Sequence, residues 1–343
     1  MVERRTLAFF ALTSVFFGGT FVAAKAGLGY FPPLLFVALR FDVAAVVLAS
    51  YAILTTSRDG LLPRTRGDVV GILSTGILAI GLTNALLFVG QQYATSAVAS
   101  IVFSLNPVLT PVFAAALLSD ERLSARGVAG MILALVGVGL VVNPDPANLL
   151  AGGFGKVILL TGAVAGALGS VLIRWADGGL SSTVRTAWGL PFAAALCHLL
   201  SWSAGESAAA IAWTPTAVLA LAYVGIFAGA VAYITYFGLI DDTGAIRANL
   251  VFYVVPVVAT LGGAAFLGET IPLSALVGFG VIFAGFAVLG SESVDVDGLR
   301  AKARRTVSVS SRRHLPATFV NRAPSDDSRD VTEERRGRVF DSD

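Results

Sequence analysis

The stretch VFSLNPVLTPVFAAALLSDE, residues 102–121, is apolar almost throughout yet contains Asn106, Pro107 and Pro111. Proline inside a helix removes a ladder hydrogen bond, and asparagine is costly in apolar surroundings. The same phrase returns as VFYVVPVVATLGGAAFLGET, residues 251–270. A shift of 149 residues lays Ala99, Phe103 and Pro107 on Ala248, Phe252 and Pro256, and Lys25 on Arg174. With one residue of slip, Glu121, Gly130 and Gly137 fall on Glu269, Gly278 and Gly285. The chain is written as two similar halves.

Both halves consist of long apolar runs. The 343 residues are 56% hydrophobic and 13% charged, where a soluble domain carries about 25% charged residues. The stretch 291–343 alone holds 11 of the 24 Lys and Arg and 10 of the 22 Asp and Glu. A membrane-spanning helix needs about 20 mainly apolar residues. Ten runs qualify: 7–26, 34–54, 69–89, 97–117, 124–142, 154–173, 186–204, 217–239, 246–267 and 273–290. They are too long, and too rich in Leu, Ala and Gly, for barrel strands. The N-terminal run has the basic start of a signal peptide. It is longer than the usual apolar region of roughly 7–15 residues, has a counterpart later in the chain, and reads as an uncleaved first span.

The loop charges are one-sided. Arg4, Arg5, Arg58, Arg64, Arg66, Arg122, Arg126, Arg174, Arg185, Arg247 and the basic residues of the tail all fall on one side of the ten spans. The opposite loops, 27–33, 90–96, 143–153, 205–216 and 268–272, contain no Lys or Arg. The positive-inside rule then places both termini in the cytoplasm of a multi-pass plasma-membrane protein. The mixed-charge tail, 291–343, reads as a disordered cytoplasmic segment.

Two units of five spans, 1–142 and 154–290, follow from the repeat. Five is odd, so the second unit enters the membrane inverted relative to the first. The fold expected is all-α, with ten transmembrane helices in two inverted-topology repeats, an architecture common among secondary transporters. Pro107 and Pro256 fall near the middle of spans four and nine. Each is expected to kink its helix and free a carbonyl near the bilayer midplane, which is tolerated only against protein or a wet cavity. A plain structural kink is the competing reading. Asn106 and Tyr253 stand beside the prolines and join them as candidate cavity residues.

FFGGTFVAAKAG (residues 16–27), PPLLFVALRF (32–41), ASIVFSLNPVLTPVF (99–113) with Asp120-Glu121, and ANLVFYVVPVVATLGGAAFLGE (248–269) stand in order across the ten spans. The set resembles the EamA-type branch of the drug/metabolite transporter superfamily over residues 7–290. The resemblance implies transport of small metabolites, often amino acids or related solutes, frequently outward.

Further candidates come from polar residues within apolar runs. Arg40 lies about 9 Å into span two and reads as a charge on the substrate path, with snorkelling or a structural pair as the alternative. Asp42, about 200° around the helix, is the one carboxylate clearly inside a span. Its readings are a protonated acid, a partner for another helix, or a proton-coupling group. Asn84 and Tyr233 are repeat equivalents at mid-depth, suited to the cavity or to helix packing. Lys25 reads as an interfacial anchor or a residue of the outer mouth. Glu121 and Glu269 are expected to bind backbone or Ser groups at the start of the following helix. Gly162/Gly166 and Gly225/Gly229 suit close helix packing within one subunit or at a dimer interface.

Other classes find little support. Residues 152–160, GGFGKVILL, lack the first glycine and the Ser or Thr of a phosphate loop. Cys197, His198 and His314 are too few and scattered for a zinc site, and no catalytic group or acid pair is evident. No cofactor and no nucleic-acid partner are expected. The function expected is secondary transport of a small solute by alternating access, by a monomer or homodimer. An intramembrane enzyme acting on lipid is the rival from another class, and a passive channel or scaffold the third.

Overall fold

The computed structural model describes residues 2–117, 125–142, 153–243, 248, 251–285 and 287–288, and every element assigned among them is helical. Helix α1 (Val2–Gly27) is followed by Pro32 and Pro33, which open α2 (Pro33–Thr55). Proline suits this place because the first turn lacks an acceptor for its N–H anyway. Thr65 and Asp68 form a capping box at the start of α3 (Arg66–Gln91). Helix α4 (Ser96–Leu117) begins at the Thr95 cap. Then come α5 (Ala125–Val142), α6 (Phe154–Ala176) and α7 (Ser182–Ser203). Helix α8 joins Pro215–Ala222, Tyr223–Val231 and Ala232–Thr243. The last two are α9 (Val251–Leu267) and α10 (Leu273–Gly285).

Each of the ten apolar runs carries one of these helices. Six helices among the described residues are long and apolar enough to cross a membrane: Arg4–Gly27, Pro33–Thr55, Arg66–Gln91, Ser96–Leu117, Phe154–Ala176 and Pro215–Leu239. Shorter apolar helices lie at Val128–Gly137, Val254–Leu267 and Leu273–Gly285. The chain is a multi-pass membrane protein, all-helical in the elements of its described residues. The tail, 291–343, lies outside the described residues, as does Glu121.

Two features of the helices were not anticipated. The middle of α3, Ser74–Leu82, and the middle of α8, Tyr223–Val231, are π-helical. Their first residues are 149 apart, and so are their last. The widened turn leaves carbonyls out of step with the ladder. Thr83 Oγ1 donates to Leu78 O at 2.7 Å and Asn84 Nδ2 to Ile80 O at 2.8 Å.

The prolines also differ from expectation. Helix α4 is broken: an α-helix ends at Phe103, Ser104 and Leu105 form a turn, and a second helix starts at Asn106. Pro107 therefore sits in the first turn of a helix and does not kink the middle of one. Leu105 O accepts from both Val108 N–H and Leu109 N–H, at 2.8 and 2.9 Å. Pro256, by contrast, stands inside the unbroken Val251–Leu267. The equivalent prolines thus do different things.

Helix α2 packs along α7, α3 against α6 and α7, α8 against α1 and α2, and α9 against α1 and α4. Helices α2 and α7 are antiparallel. Glu206, just past α7, accepts from Leu34 and Leu35 N–H at the start of α2, and Trp188, early in α7, donates to Leu61 O beyond its end. Glycines permit the closest approaches. A Cβ on Gly76 of α3 would collide with the Gly189 carbonyl of α7. A Cβ on Gly225 of α8 would meet the Val43 Cβ at 2.9 Å and the Arg40 carbonyl at 3.4 Å. Gly76 and Gly225 are 149 residues apart, and so are Arg40 and Gly189. Helices α5 and α10 repeat the pattern. A Cβ on Gly137 would lie 2.7 Å from Gly278 O, and one on Gly285 would lie 2.6 Å from Gly130 O.

Carboxylates tie the helix starts. Asp68 Oδ1 accepts from Gly179 and Leu180 N–H, just before α7, at 2.7 and 3.1 Å. Glu269 accepts from Ser96 N–H through both oxygens, each at 3.0 Å. It was expected to cap the helix that follows it, α10. It caps α4 instead, where the positive end of a helix macrodipole favours an anion.

Candidate functional site

Arg40 is the centre of the site. Position 40 lies on the face of α2 that turns toward α3 and α8, and the side chain is 3% exposed. Its Nη1 donates to Asn84 Oδ1 at 3.0 Å. The guanidinium lies over the Phe41 and Phe88 rings, 5.3 and 5.6 Å from their centroids, which favours a cation. Tyr233 and Cys197 are within its electrostatic reach. Its Nε is buried without a hydrogen-bond partner. Among the described residues no carboxylate pairs with it. A buried guanidinium without a counter-ion is expensive and by default functional.

Both π-helical turns end beside this arginine. Asn84 is the second residue past the turn in α3, and Tyr233 the second past the turn in α8. Asn84 turns its amide nitrogen to Ile80 O, which leaves its oxygen for Arg40. The structure thus places the repeat equivalents Asn84 and Tyr233 near Arg40, the first by a hydrogen bond and the second within electrostatic reach.

The surroundings are unlike on the two sides. On the Tyr233 side, Phe17 makes edge contacts with Tyr233 and Tyr236, centroids 5.4 and 5.9 Å apart, and stacks with Phe252 at 6.0 Å. On the Asn84 side the groups are smaller and polar. Asn106 lies against Gly166, where a Cβ would come within 2.9 Å of its Oδ1 and 3.2 Å of Thr83 Oγ1. Asn106 Oδ1 is buried and has no hydrogen-bond partner. The break in α4 is what places this amide at the start of a helix, against α6. The glycine pairs noted in the sequence thus pack within the chain: Gly162 and Gly166 on α3 and α4, Gly225 and Gly229 on α2.

The other candidates take different places. Lys25 Nζ donates to Gln91 O and Ala94 O at 2.8 and 2.9 Å, and so closes the end of α3. Next to it, Gln91 Nε2 donates to Phe21 O, and Glu269 is within electrostatic reach. Asp42 points away from Arg40 and pairs with His198 of α7 at 2.9 Å. The side chains of Pro107 and Tyr253 lie outside the described residues. A hollow of about 310 Å³ opens at the arginine-poor end, lined by Tyr93, Thr95, Val98, Lys156, Pro272 and Ser274 among others. Its residues carry no strong sequence signal, being loop residues and the first turns of α4, α6 and α10.

Comparison with known proteins accords with this picture. The profile of the EamA-like transporter family matches residues 4–143 and again 153–291. An uncharacterized transporter of Archaeoglobus fulgidus is 26% identical over 284 residues, 81% of this chain and 96% of that one. The uncharacterized transporter YyaM of Bacillus subtilis is 32% identical over 255 residues, 72% of this chain and 81% of its own. The uncharacterized inner membrane transporter YedA of Escherichia coli is 28% identical over 292 residues, 82% and 88% respectively. A crystal structure 24% identical in sequence matches with a TM-score of 0.56, covering 84% of this chain and 96% of that one, and shares the fold.

Proposed function

The chain belongs to the EamA-like transporter family, and from that premise we propose that it is a secondary transporter that moves a small solute bearing an anionic group by alternating access around Arg40. The observation that carries this reading is the buried guanidinium with a free Nε and no paired carboxylate among the described residues. A solute carboxylate would supply the missing charge. Amino acids or related metabolites, moved outward, are the solutes the family resemblance suggests.

The mechanism calls for two five-helix units, inverted with respect to each other, that rock about the site. Reciprocal packing supports it. Gly76 meets Gly189 while Gly225 meets Arg40, and Gly137 meets Gly278 while Gly285 meets Gly130. Each pair is the other with its partners exchanged between halves, as a pseudo-two-fold axis requires. The matching π-helical turns support the same reading. Orientation follows the charge bias, with the arginine-rich end and both termini cytoplasmic and the hollow at Tyr93 external.

The test is uptake and efflux of a solute panel in proteoliposomes, with and without a proton gradient. Transport of an anionic or zwitterionic solute by the native chain, lost in Arg40→Gln at equal protein content, is the expected result. A native chain that moves no member of the panel, or an Arg40→Gln variant with unchanged kinetics, would overturn the assignment.

A further inference from the structure

Asp42 and His198 lie outside the Arg40 site, and the transport reading makes no use of them. They meet across the seam of α2 and α7, His198 Nε2 2.9 Å from Asp42 Oδ2. Both side chains are about half exposed, 48% for Asp42 and 44% for His198. The face around them is otherwise apolar, with Val46, Phe192, Leu199 and Trp202 exposed. Asp42 lies nine residues past Pro33, about 13 Å along its helix, and His198 five residues before Ser203, about 7 Å from the end of its own. Side chains lean toward the N-terminus of their helix. In antiparallel helices Asp42 and His198 therefore lean toward one another.

The number of protons on the pair sets its charge. A carboxylate with a neutral imidazole carries −1. With one proton added the pair is neutral, as carboxylate and imidazolium or as acid and imidazole. A bilayer favours the neutral pair, whereas water tolerates both.

Few other ionisable groups face the seam. From α2, Arg40 turns to the opposite side. From α7, the buried Cys197 is within electrostatic reach of both Arg40 and Asp42. Helix α3 carries no ionisable residue from Ile72 to Gln91, and from α8 Tyr233 is within electrostatic reach of Arg40. Asp68 and Arg185 sit near the arginine-rich end of α7, and Glu206 is bound at the start of α2. Among the described residues, Cys197 is thus the ionisable group that lies within reach of both Asp42 and the arginine of the transport site.

We infer that Asp42 and His198 form a proton-binding site whose loading is coupled to the opening of the path to Arg40. The inference rests on the alternating-access reading. Helices α2 and α7 belong to different units, so rocking alters the seam between them. With the seam closed, the hydrogen-bonded pair holds one proton and is neutral. When it parts, water reaches both groups, the proton passes to water, and Asp42 keeps the negative charge. The coupling is reciprocal, so protonation biases the access equilibrium as strongly as access biases protonation.

A single-cysteine reporter tests this without knowledge of the solute. Ser104 is buried at the break in α4, so in a Ser104→Cys, Cys197→Ser background a membrane-impermeant thiol reagent reaches it only when a path opens. Labelling in proteoliposomes is followed from pH 5 to 8, the range in which imidazoles change charge. The rate is divided by that of an exposed reporter, Ser203→Cys, to remove the pH dependence of the thiol itself. At least a fivefold change is expected across the range, and less than twofold in both Asp42→Asn and His198→Gln. A flat profile in the parent, or an unchanged profile in either folded variant, overturns the inference. Circular dichroism and size-exclusion profiles establish folding, and if Asp42→Asn does not fold, His198→Gln decides. Failure of the solute panel would defeat the transporter assignment, while the labelling profile would still decide the proton site.

Discussion

Arg40 concentrates the consequences that single residues have here. Two aromatic rings and one amide hold a charge that nothing in the described structure neutralises. If an anionic solute supplies the counter-charge, Arg40→Gln lowers kcat/KM by more than tenfold, about 1.4 kcal/mol or more, with thermal stability kept or raised. Arg40→Lys is expected to recover only part of the loss, because an ammonium cannot keep both the planar stacking and the forked donors. Initial-rate kinetics on both variants check this. Glu269 offers a contrasting, structural case. Its carboxylate receives the Ser96 N–H and faces Lys25. Glu269→Gln is expected to cost about 1–2 kcal/mol by loss of a charged cap, read as a lower unfolding temperature. Arg40, Asn84 and Tyr233 stand out in the sequence as candidates because polar groups in apolar runs need a reason. The partner of Glu269 does not, since sequence proximity pointed to α10 and the acceptor's true partner lies 173 residues away.

At the scale of elements, the two π-helical turns decide the geometry. They sit where α3 meets α7 and α8 meets α2, and each delivers a polar residue to Arg40. Gly76→Ala would press a methyl group on the Gly189 carbonyl, a backbone atom that cannot yield. The expected cost is about 1–3 kcal/mol. At Gly29 the nearest atom to an added Cβ is 3.7 Å away, and Gly29→Ala should change stability by less than about 0.5 kcal/mol. Thermal unfolding in detergent compares the two. The prolines give a second contrast. Pro107 stands where a helix begins and its missing N–H matters little, so Pro107→Ala should leave stability nearly unchanged. Pro256 interrupts the ladder inside α9. Pro256→Ala restores a donor toward Phe252 O and should raise stability by about 1–3 kcal/mol. Equal shifts in the two variants would contradict this division. Apolar periodicity cannot report either feature, because a π turn and a helix break both leave the run of apolar residues intact.

The whole molecule raises the question of orientation. Reporter fusions at Arg64 and Thr183 are expected to read cytoplasmic, and one at Ser207 external. An external signal at Thr183 would contradict the inverted arrangement proposed for the halves. Much of this level was decided by the sequence alone. Long apolar runs and scarce charge require a helical membrane protein, since hydrocarbon offers no partner for an unsatisfied backbone. The 149-residue repeat and the ordered motifs pointed to the family. What only the tertiary structure decided are the relations among side chains distant in the chain: Arg40 on Asn84, Asp42 on His198, Glu269 on Ser96, and glycine on carbonyl across the halves. The physical reason is that apolarity records how much of a residue leaves water, whereas charge, hydrogen bonds and close packing depend on direction and distance, which arise only when helices are placed against one another.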